Sequence, residues 1–137
     1  MGEQVFPNSP RRHVGAIDFS VVPLEHAVEI VVEQGACSLD RGIAIHFANT
    51  YNAILAERSP SYRELLRCGA AVFSDWMPVA WAARRLHPDV APAWTRVHGP
   101  DVMSDVLNAS GAQGPGHYLR GGSMETLQAL RLKIAQT

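Results

Sequence analysis

Several short apolar runs end in residues that could do chemistry. Gly42–Ala48 (GIAIHFA) is followed by Asn49-Thr50. Ala70–Phe73 (AAVF) is followed by Ser74-Asp75-Trp76, and His117–Leu119 (HYL) leads through Arg120 into Gly121-Gly122-Ser123. Asn49 brings an amide with both donors and an acceptor. Asp75 brings a carboxylate able to take a proton as a general base. Gly121 and Gly122 leave backbone N–H groups bare beside a helix start, where an anion is favoured. A carboxylate base beside a diphosphate cradle suits transfer from a nucleotide-activated donor.

The same residues carry structural readings. Asn and Asp at strand ends are ordinary turn and cap residues. A Gly pair without GxGxxG spacing reads as a tight strand–helix turn. His46, inside an apolar run, reads as a satisfied core histidine. Trp76, Trp81 and Trp94 read as packing groups, Arg96 as a solvated charge, and Asp101 as a residue of a first helical turn.

The elements that must position these groups follow from periodicity. Residues 1–12 read as a frayed arm and 13–137 as one domain. Val14–Val22 reads as a strand or strand pair. Pro23 opens a helix on which Leu24, Ala27, Val28 and Val31 share one face, and Gly35 is its expected C-cap. Gly42–Ala48 and Ala70–Ser74 read as buried strands. Between them, Thr50–Glu57 turns helical, and Ser59-Pro60 starts a further helix that Gly69 ends. Pro78 opens a helix with Val79, Ala82, Ala83 and Leu86 inward. Gly99-Pro100-Asp101 leads into another, with Val102, Val106 and Leu107 as its face. His117–Leu119 is expected as a brief strand, before a last helix on Leu127, Leu130 and Ile134. Alternating strands and helices predict a layered α/β fold with a mainly parallel sheet. Such sheets bind ligands beyond the carboxyl ends of their strands, so Asn49, Asp75 and Gly121 are expected on one rim.

Composition narrows the function classes. The chain has 137 residues, 47% hydrophobic and 18% charged, enough for a core without staples. Twelve basic residues against 13 acidic give a net charge of −1. That balance argues against a nucleic-acid partner. No apolar run is long enough to span a bilayer, and the first residues lack the apolar stretch of a signal peptide. A cytoplasmic protein is expected. Cys37 and Cys68 lie outside any CxxC pattern and read as a loop thiol and a partly buried thiol. No His/Cys/carboxylate spacing suggests a metal, and no cofactor is expected.

Five segments in register resemble the WecG/TagA/CpsF family of bacterial glycosyltransferases. They are Gly42–Ala56 (GIAIHFANTYNAILA), Glu57–Leu66 (ERSPSYRELL), Ser74–Arg84 (SDWMPVAWAAR), Arg96–Met103 (RVHGPDVM) and His117–Leu127 (HYLRGGSMETL). The resemblance runs from about Val14 to the end. It implies a Rossmann-like fold and an inverting, metal-independent transferase. Such an enzyme moves an N-acetylmannosamine-like sugar from a UDP donor to a polyprenyl-diphosphate-linked acceptor at the inner face of the membrane, for cell-surface polysaccharide. It also implies roles. Asp75 is the base on the acceptor hydroxyl, and Asn49 is the asparagine of the strand-end word. Arg96 faces the diphosphate, Asp101 belongs to the Gly-x-Asp word, and Gly121 and Gly122 form a donor-side turn.

Departures accompany the resemblance. Trp76 stands where the family has glycine after the base, and Phe47 where it has threonine. The chain stops at Thr137, about halfway through the family's pattern, before its Pro-Lys-Gln-Glu segment and basic appendage. It is therefore expected to expose apolar surface, and to self-associate or be marginally stable. The competing expectation is a non-catalytic remnant that at most binds a nucleotide weakly. A dinucleotide-binding domain is disfavoured by the missing GxGxxG.

Overall fold

The computed structural model describes residues 9–36, 42–110 and 116–136. The chain opens on a hairpin. β1 (Arg11–Val14) and β2 (Ile17–Ser20) pair antiparallel, with Arg11 opposite Ser20 and Val14 opposite Ile17. Gly15, the first of the two turn residues, has φ 59°, as a II′ hairpin turn requires at that position. β1 thus begins inside the stretch read as an arm.

The Pro23 carbonyl accepts from the Ala27 N–H at 3.1 Å, and α1 (Leu24–Ala36) follows. It runs through Gly35 rather than stopping at it. Cys37 lies outside the described residues.

β3 (Ile45–Ala48) and β4 (Ala71–Ser74) form a parallel pair, Ile45 opposite Ala71 and Ala48 opposite Ser74. A parallel pair needs a crossover, and two helices supply it. α2 (Thr50–Arg58) is capped by Asn49. α3 (Pro60–Arg67) is capped by Ser59, whose Oγ accepts from the Tyr62 N–H, with Pro60 at the first position. α4 (Met77–Leu86) follows β4, a 3-10 turn spans Ala91–Ala93, and α5 (Gly99–Ser110) and α6 (Met124–Ile134) complete the chain.

Alternate β4 residues face opposite cores. Val72 joins Ile17, Phe19, Ala56, Leu66, Val79 and Trp94 on the side of α2, α3 and α4. Ala71 and Phe73 join Ala27, Val28, Val97 and Val102 on the side of α1 and α5. β4 is buried on both faces, the condition for its unbroken apolar reading.

A mainly parallel sheet is not seen among the described residues. Among the described residues there is one parallel pair and one antiparallel pair. Gly15 folds the first apolar stretch back on itself, and a two-residue turn can only join antiparallel strands. His117–Leu119 is irregular and bonded to no strand, with Tyr118 90% exposed. On α4, Val79, Ala80 and Ala83 are buried, whereas Ala82 and Leu86 face out. Trp94 is a packing group as expected, but Trp76 and Trp81 are more than half exposed. Cys68 is exposed and free. No described helix is long and apolar enough to cross a membrane.

One surface pair ties the hairpin to the turn after α4: Arg12 Nη2 donates to Asp89 Oδ2 at 2.6 Å. That bond holds the Asp89 carboxyl below its ordinary value. Its small contribution is present above the usual carboxylate range and fades as pH falls through the lowered value.

His46 is half-buried, and its buried Nε2 has no hydrogen-bond partner among the described residues, contrary to the satisfied histidine expected. Gly69 explains the fit. A Cβ there would lie 2.5 Å from His46 Cδ2 and 3.2 Å from the Leu66 carbonyl oxygen. Gly69→Ala should therefore destabilise the fold by about 1–3 kcal/mol through overpacking. Urea unfolding measures this, and Gly69→Ala with His46→Ala should recover part of the loss.

Candidate functional site

Ala48 and Ser74 are register partners at the carboxyl ends of β3 and β4, so Asn49 and Asp75 leave the pair side by side. The Asp75 N–H donates to the Ala48 carbonyl at 3.0 Å, which continues the ladder to that residue. Two of the three expected rim positions are thus brought together. Gly121 and Gly122 are not carried there by a strand. They have φ 110° and 73° and form the turn into α6, whose cap is Ser123.

Asp75 Oδ1 accepts two hydrogen bonds, from His98 Nδ1 at 2.7 Å and from the Gly99 N–H at 3.0 Å. An ionised carboxylate only accepts, so His98 donates its Nδ1–H. Gly99 is the first residue of α5, whose end concentrates unpaired N–H groups and a partial positive charge. Asp75 therefore caps α5 from across the fold. Its side chain is 20% exposed, and Oδ2 carries no hydrogen bond among the described residues. The result is a carboxylate with one oxygen fixed by two donors and the other without a hydrogen bond among the described residues.

Sequence reasoning missed His98. The signal was present: a helix starting at Gly99-Pro100 has a histidine at its cap position, not a side chain that accepts from the helix N–H groups. Such a helix needs an acceptor from elsewhere, and Asp75 is that acceptor.

Asn49 is committed to α2. Its Oδ1 accepts from the Asn52 N–H at 3.2 Å, and Asn52 Oδ1 accepts from the Asn49 N–H at 2.9 Å. This reciprocal box fixes the amide and leaves its Nδ2 hydrogens for other contacts. Arg96 and Asp101 find each other, Nη2 to Oδ2 at 3.2 Å, both partly exposed. Trp76 takes the cap position of α4 and is 55% exposed as a residue, neither buried in the core nor bonding the helix N–H groups through its side chain. Phe47 lies against the residue whose backbone N–H donates to Asp75. Its ring packs 5.8 Å from that of Phe73 and lies under Gly99, where a Cβ would come within 3.4 Å of it. Among the described residues, no group of three or more His, Cys, Asp or Glu could hold a metal ion.

These features define a mixed α/β protein whose polar side chains gather where parallel strands end and helices begin. A family model, the glycosyl transferase WecG/TagA/CpsF family, matches residues 12–137. The chain belongs to that family of glycosyltransferases. No solved structure matches it.

Asp75 thus has a structural duty that any test of chemistry must separate. Asp75→Ala should cost about 1–2 kcal/mol by leaving the α5 terminus and His98 without their acceptor. Asp75→Asn retains an acceptor oxygen and should cost less. Chemical denaturation of both variants against the parent checks the order.

Proposed function

We propose that the chain transfers a sugar from a nucleotide-sugar donor to a hydroxyl of a lipid-linked acceptor, with Asp75 as the base. The observation that carries this reading is the Asp75 carboxylate at the end of β4, held through Oδ1 by His98 and Gly99, with Oδ2 making no hydrogen bond among the described residues. In the proposed step the acceptor oxygen attacks the anomeric carbon as its proton passes to Asp75 Oδ2. The bond from that carbon to the donor diphosphate breaks on the opposite face, inverting the centre, and UDP leaves with the electron pair. Fixing a base within reach of its proton is the general source of such rate gains.

Arg96 is the proposed partner of the leaving diphosphate. Its ion pair with Asp101 would open as the phosphates replace that carboxylate, and guanidinium suits them geometrically. Asn49 would donate from Nδ2 to substrate, and the Gly121-Gly122 turn would meet the donor through backbone N–H groups. The sugar is N-acetylmannosamine-like and the acceptor polyprenyl-diphosphate-linked, used in cell-surface polysaccharide at the inner face of the membrane. A Rossmann-like frame and a metal-independent reaction belong to the same proposal.

A second reading rests on Trp76. A bulky ring beside the base, where the family has glycine, favours a member that binds nucleotide without turnover.

The test is UDP release from UDP-sugar in the presence of a polyprenyl-diphosphate-linked acceptor. Asp75→Asn should lower kcat by about 10²–10⁴-fold while remaining folded, and Arg96→Gln should weaken donor use. Equal turnover by Asp75→Asn and parent would overturn the role of Asp75. UDP binding without release, with turnover gained by Trp76→Gly, would establish the second reading.

A further inference from the structure

At the other end of β4 from Asp75, a pocket of about 340 Å³ opens between the β1–β2 hairpin and α3. Its charged lining is one-sided. Arg11 and His13 come from β1, Arg63 and Arg67 from α3, and Asp18 is the one carboxylate among the described lining residues. Asp18 lies 3.8 Å from Arg11 Nη1 and 3.9 Å from His13 Nε2, beyond good hydrogen-bond length. Among the described residues, the guanidinium groups of Arg11 and Arg63 face one loosely paired lining carboxylate, and Arg67 has an exposed partner in Glu64 on its own helix. Arg63 and Arg67 are also four apart on one helix, where like charges repel.

Arg11 and Arg63 are nevertheless held in place by the backbone. Arg11 Nη2 donates to the Ala70 carbonyl at 2.6 Å. Arg63 donates through Nε to Ala56 at 3.1 Å and through Nη2 to Glu57 at 3.3 Å, both backbone carbonyls. Arg67 Nη1 reaches Glu64 Oε2 at 3.3 Å. Neutral carbonyls brace the Arg11 and Arg63 forks without cancelling their charge. Each guanidinium has five N–H donors, so each retains donors beyond these bonds. Guanidinium groups gathered around a cavity, two of them fixed by backbone carbonyls, favour a binding site over a solvated face.

We propose that this pocket binds a phosphoryl anion, a phosphate or diphosphate group, through Arg11, Arg63 and Arg67. The planar fork of arginine matches two phosphoryl oxygens at once. The site is separate from the Asp75 rim and does not depend on the glycosyl-transfer reading. The same chemistry is offered by a free anion and by a lipid headgroup.

The experiment is titration calorimetry with inorganic phosphate and inorganic diphosphate in an Arg96→Gln background, which removes the proposed rim contact. Saturable binding is expected, weakened about tenfold or more by Arg67→Gln or Arg11→Gln. Arg12→Gln, which alters the neighbouring arginine, should leave it unchanged. Circular dichroism confirms that each variant folds. A measurement free of variants adds to this: diphosphate should protect Arg67 of the parent from phenylglyoxal, read by mass spectrometry. Co-sedimentation with phosphatidylcholine vesicles, with and without phosphatidylglycerol, separates the sources. Arg67-dependent binding to the anionic vesicles identifies a headgroup; diphosphate binding without it identifies a free anion. Absence of saturable binding to every probe, or binding indifferent to Arg11 and Arg67, would overturn the proposal.

Discussion

The buried Ser74 organises this molecule beyond its size. It is 1% exposed, its Oγ donates to the Thr95 carbonyl at 3.1 Å, and the same oxygen accepts from Trp94 Nε1 at 3.1 Å. Its backbone carbonyl accepts from the Val97 N–H at 2.9 Å. One residue thus fastens the segment from Trp94 to Val97 along the end of β4. Polar groups buried this deeply are costly unless paired, so the segment has little freedom to drift. Arg84 Nε adds a bond to the Trp94 carbonyl at 2.8 Å. The next residues along the chain are His98 and Gly99, and the fastening delivers them to the Asp75 carboxylate. The candidate site is therefore set by a bond made one residue before it.

The parts of this fold legible in the sequence were those governed by local rules. Ser59-Pro60 announces α3 because cap and proline preferences need no distant partner. The AAVF run announces β4 because a strand covered on both faces has no polar alternation. β3, expected to be buried, is half-buried at Ile45, His46 and Phe47 and was legible from its Ile and Phe content. The polar ends of the two strands, Asn49 and Asp75, were legible with them. Adjacent parallel strands that stop in register must present their next residues together.

What was not legible depended on contacts between distant segments. Gly15 alone decided that the first stretch becomes a hairpin. His117–Leu119 has strand-like composition but acquires no neighbouring strand. The exposure of Trp76 and Trp81 could not follow from size, since it depends on which side of α4 meets Val72 and Trp94. The Asp75–His98 bond joins residues 23 positions apart, and neither residue type alone implies the other. The place of the Phe47 ring against Gly99 depends on where α5 is set, which no local rule gives.

The last helix differs from the rest in one respect. None of the residues of α6 is buried, and it meets α5 across a groove of about 530 Å³ lined by Met103, Leu107, Leu130 and Ile134. Cooperative unfolding units are delimited by buried contact, so α6 can open while both cores persist. In amide hydrogen exchange the chain would then divide in two. The Ala71–Ser74 amides would wait for global unfolding, whereas those of Met124–Ile134 would exchange through a low-energy local opening. Whatever Gly121 and Gly122 contribute would be governed by that second, faster equilibrium.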